Sequence, residues 1–517
     1  MTMEQRTLLR ISGFLIAALA IAVLSSTGAL AQSAPSEDTM VVAVPGFPNE
    51  LDPDFGETAA KGNVLRQILD LPVWYDETGF LHGWVFESWE VLNDGLTWRF
   101  NIRQGLEFES GTPVNAETVK FTFDRMFDEE LLDHGADNQF PLRADLVSVV
   151  IVDEYVLDIN TAVPNATVIT RLYVVYLLDP AFYRDASVAQ AATHAQGGGP
   201  YRVVRFVPDD YIELVRNEDY WYGTPDIERI VIRAVPEASS RVAMLETGEV
   251  DIALDLSPDD IPVMQTFPGV KVEAVQSSRR VGLIFNQREP RFADKRVRQA
   301  FNYAIDFDEI NDALLYGMAS RLQTYRGTGY CSDPDMSPYP YDPERARELL
   351  EEADFPMDEK IVIHVSSIVG YRIAVVQAMA SQLERLGLDV EVNVIERSVY
   401  VQMVTDRNYD GMIEVGLGGR GDPAQDAQVF AFGGLWNPGG WEDEAAHHFN
   451  DLLAEIQAAF DPDVVCEMTK ELEAIAYEHA PWLYSHHPLE IAGVNERIDW
   501  DPRSDSHLFW RTARWAR

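Results

Sequence analysis

Between residues 197 and 253 the chain runs through a glycine-rich turn, two β-prone segments, an aromatic turn, a third β-prone segment, a short helical stretch and a last strand. Gly197-Gly198-Gly199-Pro200 reads as a turn, and residues 201–206 and 211–216 read as a hairpin whose strands are separated by Pro208-Asp209-Asp210. Residues 218–221 turn the chain again. Ile230, Ile232 and Ala234 then alternate as a half-buried strand should, and residues 239–246 predict a helix closed by Gly248.

The same alternation continues on both sides. Residues 41–44 are a short apolar strand, and the prolines Pro45, Pro48 and Pro53 make the segment after it an irregular loop. Residues 63–71 predict a helix. The Asn93-Asp94-Gly95 turn, followed by alternating Leu96, Trp98, Phe100 and Ile102, predicts a hairpin. Asn115 caps a helix with Val119, Phe123 and Met126 on one face. Further on, Asp294 precedes a helix, residues 306–316 give another closed by Gly317, and Asp342-Pro343 starts a helix over 344–353. A helix bearing Ile373, Val376, Ala380 and Leu383 leads past Gly387 into a strand with Val390, Val392 and Val394. Repeated helix-then-strand units predict an α/β architecture.

In wording and order, Gly199 to Tyr201, Asn217 to Trp221 and Leu245 to Asp251 resemble a known family: the large extracytoplasmic solute-binding proteins of peptide, nickel and opine ABC transporters, solute-binding protein family 5. The stretch up to Gln139 and the text from Asp294 to Asp306 resemble the same family. The resemblance implies an α/β, two-lobed periplasmic-binding-protein fold of type II, with a subdomain inserted in the first lobe and two crossing strands as hinge. Lobe I would comprise residues 32–77, 194–280 and 488–517, the insert 78–193, and lobe II 281–487. It also implies a monomer without a cofactor or catalytic activity, which captures a small-molecule ligand and delivers it to an inner-membrane ABC permease.

Residues 1–31 read as a secretory signal, with Arg6 and Arg10 ahead of an apolar core over 14–24 and Ala29-Leu30-Ala31 as a small-x-small cleavage site. Export to the periplasm with cleavage after Ala31 is the expectation, because no cysteine follows that site to carry a lipid. The formal charge of −43 argues against nucleic acid, since phosphate binding needs clustered Lys and Arg. The acidic residues are spread along the chain and read chiefly as a solvated surface. Cys331 and Cys466 either pair, as an oxidising compartment favours, or stay as two buried thiols.

The literal G-x-G-x-x-G at 416–421 follows an apolar run, but a dinucleotide site needs a helix to begin within it, and Asp422-Pro423 follows instead. The resemblance makes this segment a cleft loop ending in Asp422-Pro423, and makes the loop over 45–53, with Asn49, a second approach to the ligand. Peptide binders of that family place an aspartate four residues before the loop proline, and nickel-complex binders a tryptophan six before it. This chain has Gly419 and Leu417 there. Glycines at 416, 418 and 419 leave volume, and Arg420 either reaches a ligand carboxylate bidentately or faces solvent or an acidic neighbour. Tyr330, Trp436 and Trp441 are aromatic candidates for lining the pocket. The pairs His447-His448 and His486-His487 lack a further cluster at metal-ligand spacing, so no metal site is expected. The sequence contains no G-x-S-x-G, H-E-x-x-H or P-loop pattern. An exported hydrolase or chaperone-like protein on the same fold is the alternative.

Overall fold

Strand Thr39–Val44 is buried at every residue because it lies between two parallel neighbours, Arg229–Ala234 on one side and Ile252–Ala253 on the other. A strand covered on both edges and both faces must be apolar throughout, which explains its Met-Val-Val-Ala-Val run. The computed structural model describes residues 38–517 except 56–57, 77–79, 134–145, 327–329, 368–369, 420, 433 and 435–436. The expected secretory segment lies outside the described residues.

The first sheet has seven strands in the spatial order Val270–Gln276, Leu489–Asn495, Ile252–Ala253, Thr39–Val44, Arg229–Ala234, Tyr211–Arg216, Tyr201–Val207. A six-stranded sheet follows the order Ser320–Arg321, Trp482–His487, Arg280–Phe285, Met412–Leu417, Ile361–Ser366, Val390–Ile395. A four-stranded antiparallel sheet joins Phe86–Leu92, Thr97–Ile102, Val156–Thr161 and Leu146–Asp153. Its buried side chains, such as Phe86, Phe100 and Ile159, share one core with the first sheet, while the six-stranded sheet has a core on each face.

The chain passes between the two large sheets at residues 277–279 and again at residue 488. The two passages are bonded to each other: Ser277 N–H donates to Pro488 O at 2.8 Å, and His487 Nδ1 lies 2.7 Å from Arg279 O. Short crossings with few other constraints are where φ/ψ changes concentrate when two bodies move.

The glycine turn at 197–200 and the aromatic turn at 217–221 are organised around one buried acid. Asp70 accepts from Trp84 Nε1 at 3.0 Å, Tyr220 OH at 3.0 Å and Trp221 Nε1 at 2.9 Å. Burial pushes its pKa up to about 6, against the pull of those donors. Gly199 N–H donates to Ile68 O at 3.0 Å, and Asn217 Nδ2 donates to Gly199 O at 3.2 Å, so the two turns close on the end of helix Ala59–Ile68. A Cβ at Gly199 would stand 2.4 Å from Ile68 C and 2.8 Å from Leu69 N, backbone atoms that cannot turn aside. Gly199→Ala is therefore expected to cost about 1–3 kcal/mol, read as a lower urea midpoint at unchanged slope. A midpoint equal to wild type would show that the turn has room to shift.

Some elements differ from expectation. The helix predicted over 63–71 begins at Ala59, because Thr58 caps it by accepting from Lys61 N–H, and it stops at Ile68. His447 and His448 sit on helix Glu444–Ala458. Cys331 and Cys466 form a disulfide, with Cα atoms 4.5 Å apart. Among the described residues, no helix is long and apolar enough to cross a membrane, and no group of three His, Cys, Asp or Glu stands where it could hold a metal.

Candidate ligand-binding site

Strand Thr39–Val44 has a parallel neighbour on each side, so the connections at its carboxyl end leave in opposite directions and open a crevice there, the place where α/β sheets bind ligands. A cavity of about 240 Å³ occupies that position. Its apolar wall includes Phe47, Ala60, Val64, Ile491, Trp500 and Leu508. Its polar groups include Asn63, Asp255, Arg279, Glu490, Arg503 and Ser506. Mostly apolar lining with a few placed polar groups is the usual make-up of a small-molecule site.

Two of those polar residues flank the crossings between the sheets. Arg279 lies in the first, and Glu490 begins just beyond the second. Glu490 Oε1 accepts from Ser277 Oγ at 2.7 Å and from Ser506 Oγ at 2.5 Å, and stands 3.8 Å from Arg279 Nε. Burial raises the pKa of Glu490, Arg279 opposes that rise, and the Asp255 carboxylate adds to it. Arg279 Nε also donates to Ser506 Oγ at 3.3 Å, while 39% of its side chain stays exposed. It is a cation held at one end and open at the other.

The other cation is already engaged. Arg503 grips Asp505 through Nε at 3.0 Å and Nη2 at 2.6 Å, and donates to Tyr75 O and Asp76 O at 3.0 Å each. Burial would raise Asp505, but His507 and Arg503 outweigh it and hold the carboxyl well below its usual range. Burial, helped by the Arg66 charge, pushes His507 down to about 4, so this imidazole is neutral at pH 7. On the opposite rim, Asp255 adopts φ +50° at the end of Ile252–Ala253. Arg241 holds that rim: its guanidinium donates to Asp255 O and Val235 O at 2.7 Å, Pro236 O at 2.8 Å and Leu254 O at 2.9 Å.

The residues singled out in the sequence are more dispersed. The loop after the first strand does reach the cavity, through Pro45, Gly46 and Phe47, whereas Asn49 is exposed and outside the lining. Farther along this loop, Asp52 is buried and bound to Arg125 at 2.7 and 2.9 Å. Tyr330 is exposed beside the disulfide, and its carbonyl accepts from Arg326 Nη2 at 2.8 Å. Asp422 caps the short helix Pro423–Ala427 through Gln425 N–H at 2.8 Å. Trp441 takes a core position, 1% exposed and packed on Phe430 and Phe449. Arg420 and Trp436 lie outside the described residues.

The glycines at 416 and 419 are not empty volume. A Cβ at Gly416 would meet the Arg372 guanidinium at 2.5 Å, and one at Gly419 would meet Ser278 O at 2.4 Å. Gly419 lies against the first crossing, so an acid at that position has no room here. Arg279, Glu490 and Ser506 do not stand out in the sequence. Their only signal is polar residues at the edges of apolar strands, at Ser277-Ser278-Arg279-Arg280 and Pro488-Leu489-Glu490.

Residues 81–437 match the family described as "Bacterial extracellular solute-binding proteins, family 5 Middle". The chain belongs to this family. Among curated relatives, it is 27% identical to heme-binding protein A of Haemophilus influenzae, over 80% of each chain. It is 27% identical to di/tripeptide-binding protein 2 of Pseudomonas aeruginosa, over 80% of this chain and 82% of the relative. With the glutathione-binding protein GsiB of Escherichia coli it shares 25% identity, over 89% of this chain and 90% of the relative. Among solved structures, NikA from Brucella suis in complex with Fe(III)-EDTA superposes with a TM-score of 0.83 at 20% identity, covering 92% of this chain and 99% of that one. DppA from Helicobacter pylori in complex with the peptide STSA gives 0.78 at 20% identity, covering 93% and 98%. This family 5 protein therefore has the two-lobed α/β fold of extracytoplasmic binding proteins, and its class is solute binding.

Proposed function

We propose that the chain is the periplasmic receptor of an ABC importer, exported with cleavage after Ala31, and that it binds a small carboxylate-bearing solute in the cavity beside the crossings. Lobe I would hold the seven-stranded sheet with its insert over 78–193, and lobe II, over 281–487, the six-stranded sheet. The observation that carries this reading is the position of Arg279, partly open to the cavity and part of the segment about which the lobes would turn. A ligand anion on Arg279 lies where it can favour one hinge geometry, and only such differential affinity shifts a population toward closure. The closed form would then dock on the permease.

Heme, peptides and glutathione, named in the relatives' descriptions, all carry carboxylates, which supports this ligand class. A 240 Å³ cavity favours a ligand at the small end of that range. Mass spectrometry of the compound that the purified protein releases on denaturation identifies the ligand, and recovery of that compound chemically unchanged separates a receptor from a hydrolase. Arg279→Ala is expected to weaken binding of the released acid at least tenfold, about 1.4 kcal/mol, by isothermal titration, and to affect its methyl ester far less. Equal loss for acid and ester would remove Arg279 as the anion contact.

A further inference from the structure

The lobes touch at a second place, away from the cavity. Phe460, between helices Glu444–Ala458 and Pro462–His479, lays its ring over Gly95 in the turn of the inserted hairpin. A Cβ at Gly95 would fall 2.5 and 2.7 Å from Phe460 Cε2 and Cζ, so the ring takes the space that glycine leaves. The Trp98 ring stands 5.9 Å from the same ring, centroid to centroid. Three residues earlier, Gln457 O accepts from Ala166 N–H at 2.7 Å. Further along this interface, Gln425 Nε2 donates to Thr170 Oγ1 at 2.7 Å. None of these residues lines the cavity.

We propose that Phe460, Gln457 and Gln425 form a clasp on the inserted subdomain, positioning residues that set the balance between closed and open lobes and so the apparent affinity for solute. This rests on the hinged-receptor reading and adds to it a determinant of affinity that does not touch ligand. Phe460 is 39% exposed, as suits a side chain that leaves one surface and meets another rather than a core residue. The backbone bond through Gln457 O and the amide–hydroxyl bond through Gln425 fix the register of approach. If only the closed form binds tightly, apparent affinity scales with the closed fraction, so weakening the clasp weakens binding without altering the cavity.

Spin labels at Asp153→Cys and Asp451→Cys, both exposed, give the distance between insert and second lobe in the ligand-free full chain. Phe460→Ala is expected to raise the open-to-closed ratio about fivefold, the scale of a single aromatic pair, and Phe460→Leu to restore part of the closed population. Gln425→Ala, at the other end of the clasp, should shift it the same way and keeps the test available if Phe460→Ala fails to fold. Thermal midpoints close to wild type are expected in each case. Identical distance distributions in wild type and both alanine variants would overturn the clasp. Because no ligand is used, that result leaves the receptor reading standing, and failure to recover a bound solute leaves the clasp standing.

Discussion

Replacing both cysteines, Cys331→Ser with Cys466→Ser, is expected to lower the unfolding free energy by roughly 5 kcal/mol, because the bond closes a loop with a sequence separation of 135 and removes that much chain entropy from the unfolded state. A domain's whole stability is about 5–15 kcal/mol, so the variant should sit near its threshold. The bond pins the segment after Tyr330 to helix Pro462–His479 beside a buried charge group. There Arg280 lies 3.3 Å from Asp426, Arg326 lies 3.5 Å from Asp426 and 3.9 Å from Glu473, and Glu473 Oε2 accepts from Asp333 N–H at 2.9 Å. Burial pushes Glu473 up to about 7 while Arg326 pulls it down. Arg280 adjoins the first crossing, so loosening this segment is also expected to broaden the hinge. Denaturant midpoints with and without a reductant check the prediction, and coincident curves would mean that the bond constrains nothing the fold does not already constrain.

Arg125→Ala is expected to cost about 3–5 kcal/mol, because it leaves buried carboxylates without their cation. Arg125 pairs with Asp52, which is 0% exposed, and with Asp54, while its guanidinium lies 5.0 Å from the centre of the Tyr183 ring. Arg125→Lys should recover only part of the loss, since an ammonium cannot reproduce the bidentate grip on Asp52. The bond ties helix Ala116–Arg125 of the insert to the loop whose start, at Pro45 to Phe47, lines the cavity. Ligand affinity should therefore fall along with stability. Chemical unfolding of the purified variant decides the matter: a loss below 1 kcal/mol would show that water replaces the guanidinium and that the group is less enclosed than its burial indicates.

Much of the framework is legible in local chemistry. Asn115, Asp294, Asp306 and Asp342 each cap the helix expected after them, because a side-chain oxygen next to an apolar period has one favourable use. The hairpin at Asn93-Asp94-Gly95 follows from residues that tolerate positive φ, here +51°, +52° and +90°. The start at Ala59 rests on an equally local cap, Thr58, but Lys61, Gly62 and Asn63 hide the apolar period that would reveal it. The candidate site is far less legible. The loop over 416–421 stands out through its glycines, yet at 416 and 419 those glycines make room for Arg372 and for the Ser278 carbonyl. Arg279 and Glu490 carry no motif, and their importance comes from lying within a few residues of two crossings that are about 210 positions apart in the chain.

The run from 197 to 253 by itself determined family, fold class and the hairpin at one edge of the first sheet, because turn chemistry, alternation and capping act over a few residues and leave their marks in composition. Only the tertiary structure decided where a cavity forms. That depends on strand ends, a crossing and a C-terminal segment meeting from distant parts of the chain, and on which of several arginines is left partly open once the carboxylates around it have found partners. Burial and charge pairing are properties of the assembled whole, and no local pattern encodes which cation stays partly exposed at the cavity wall.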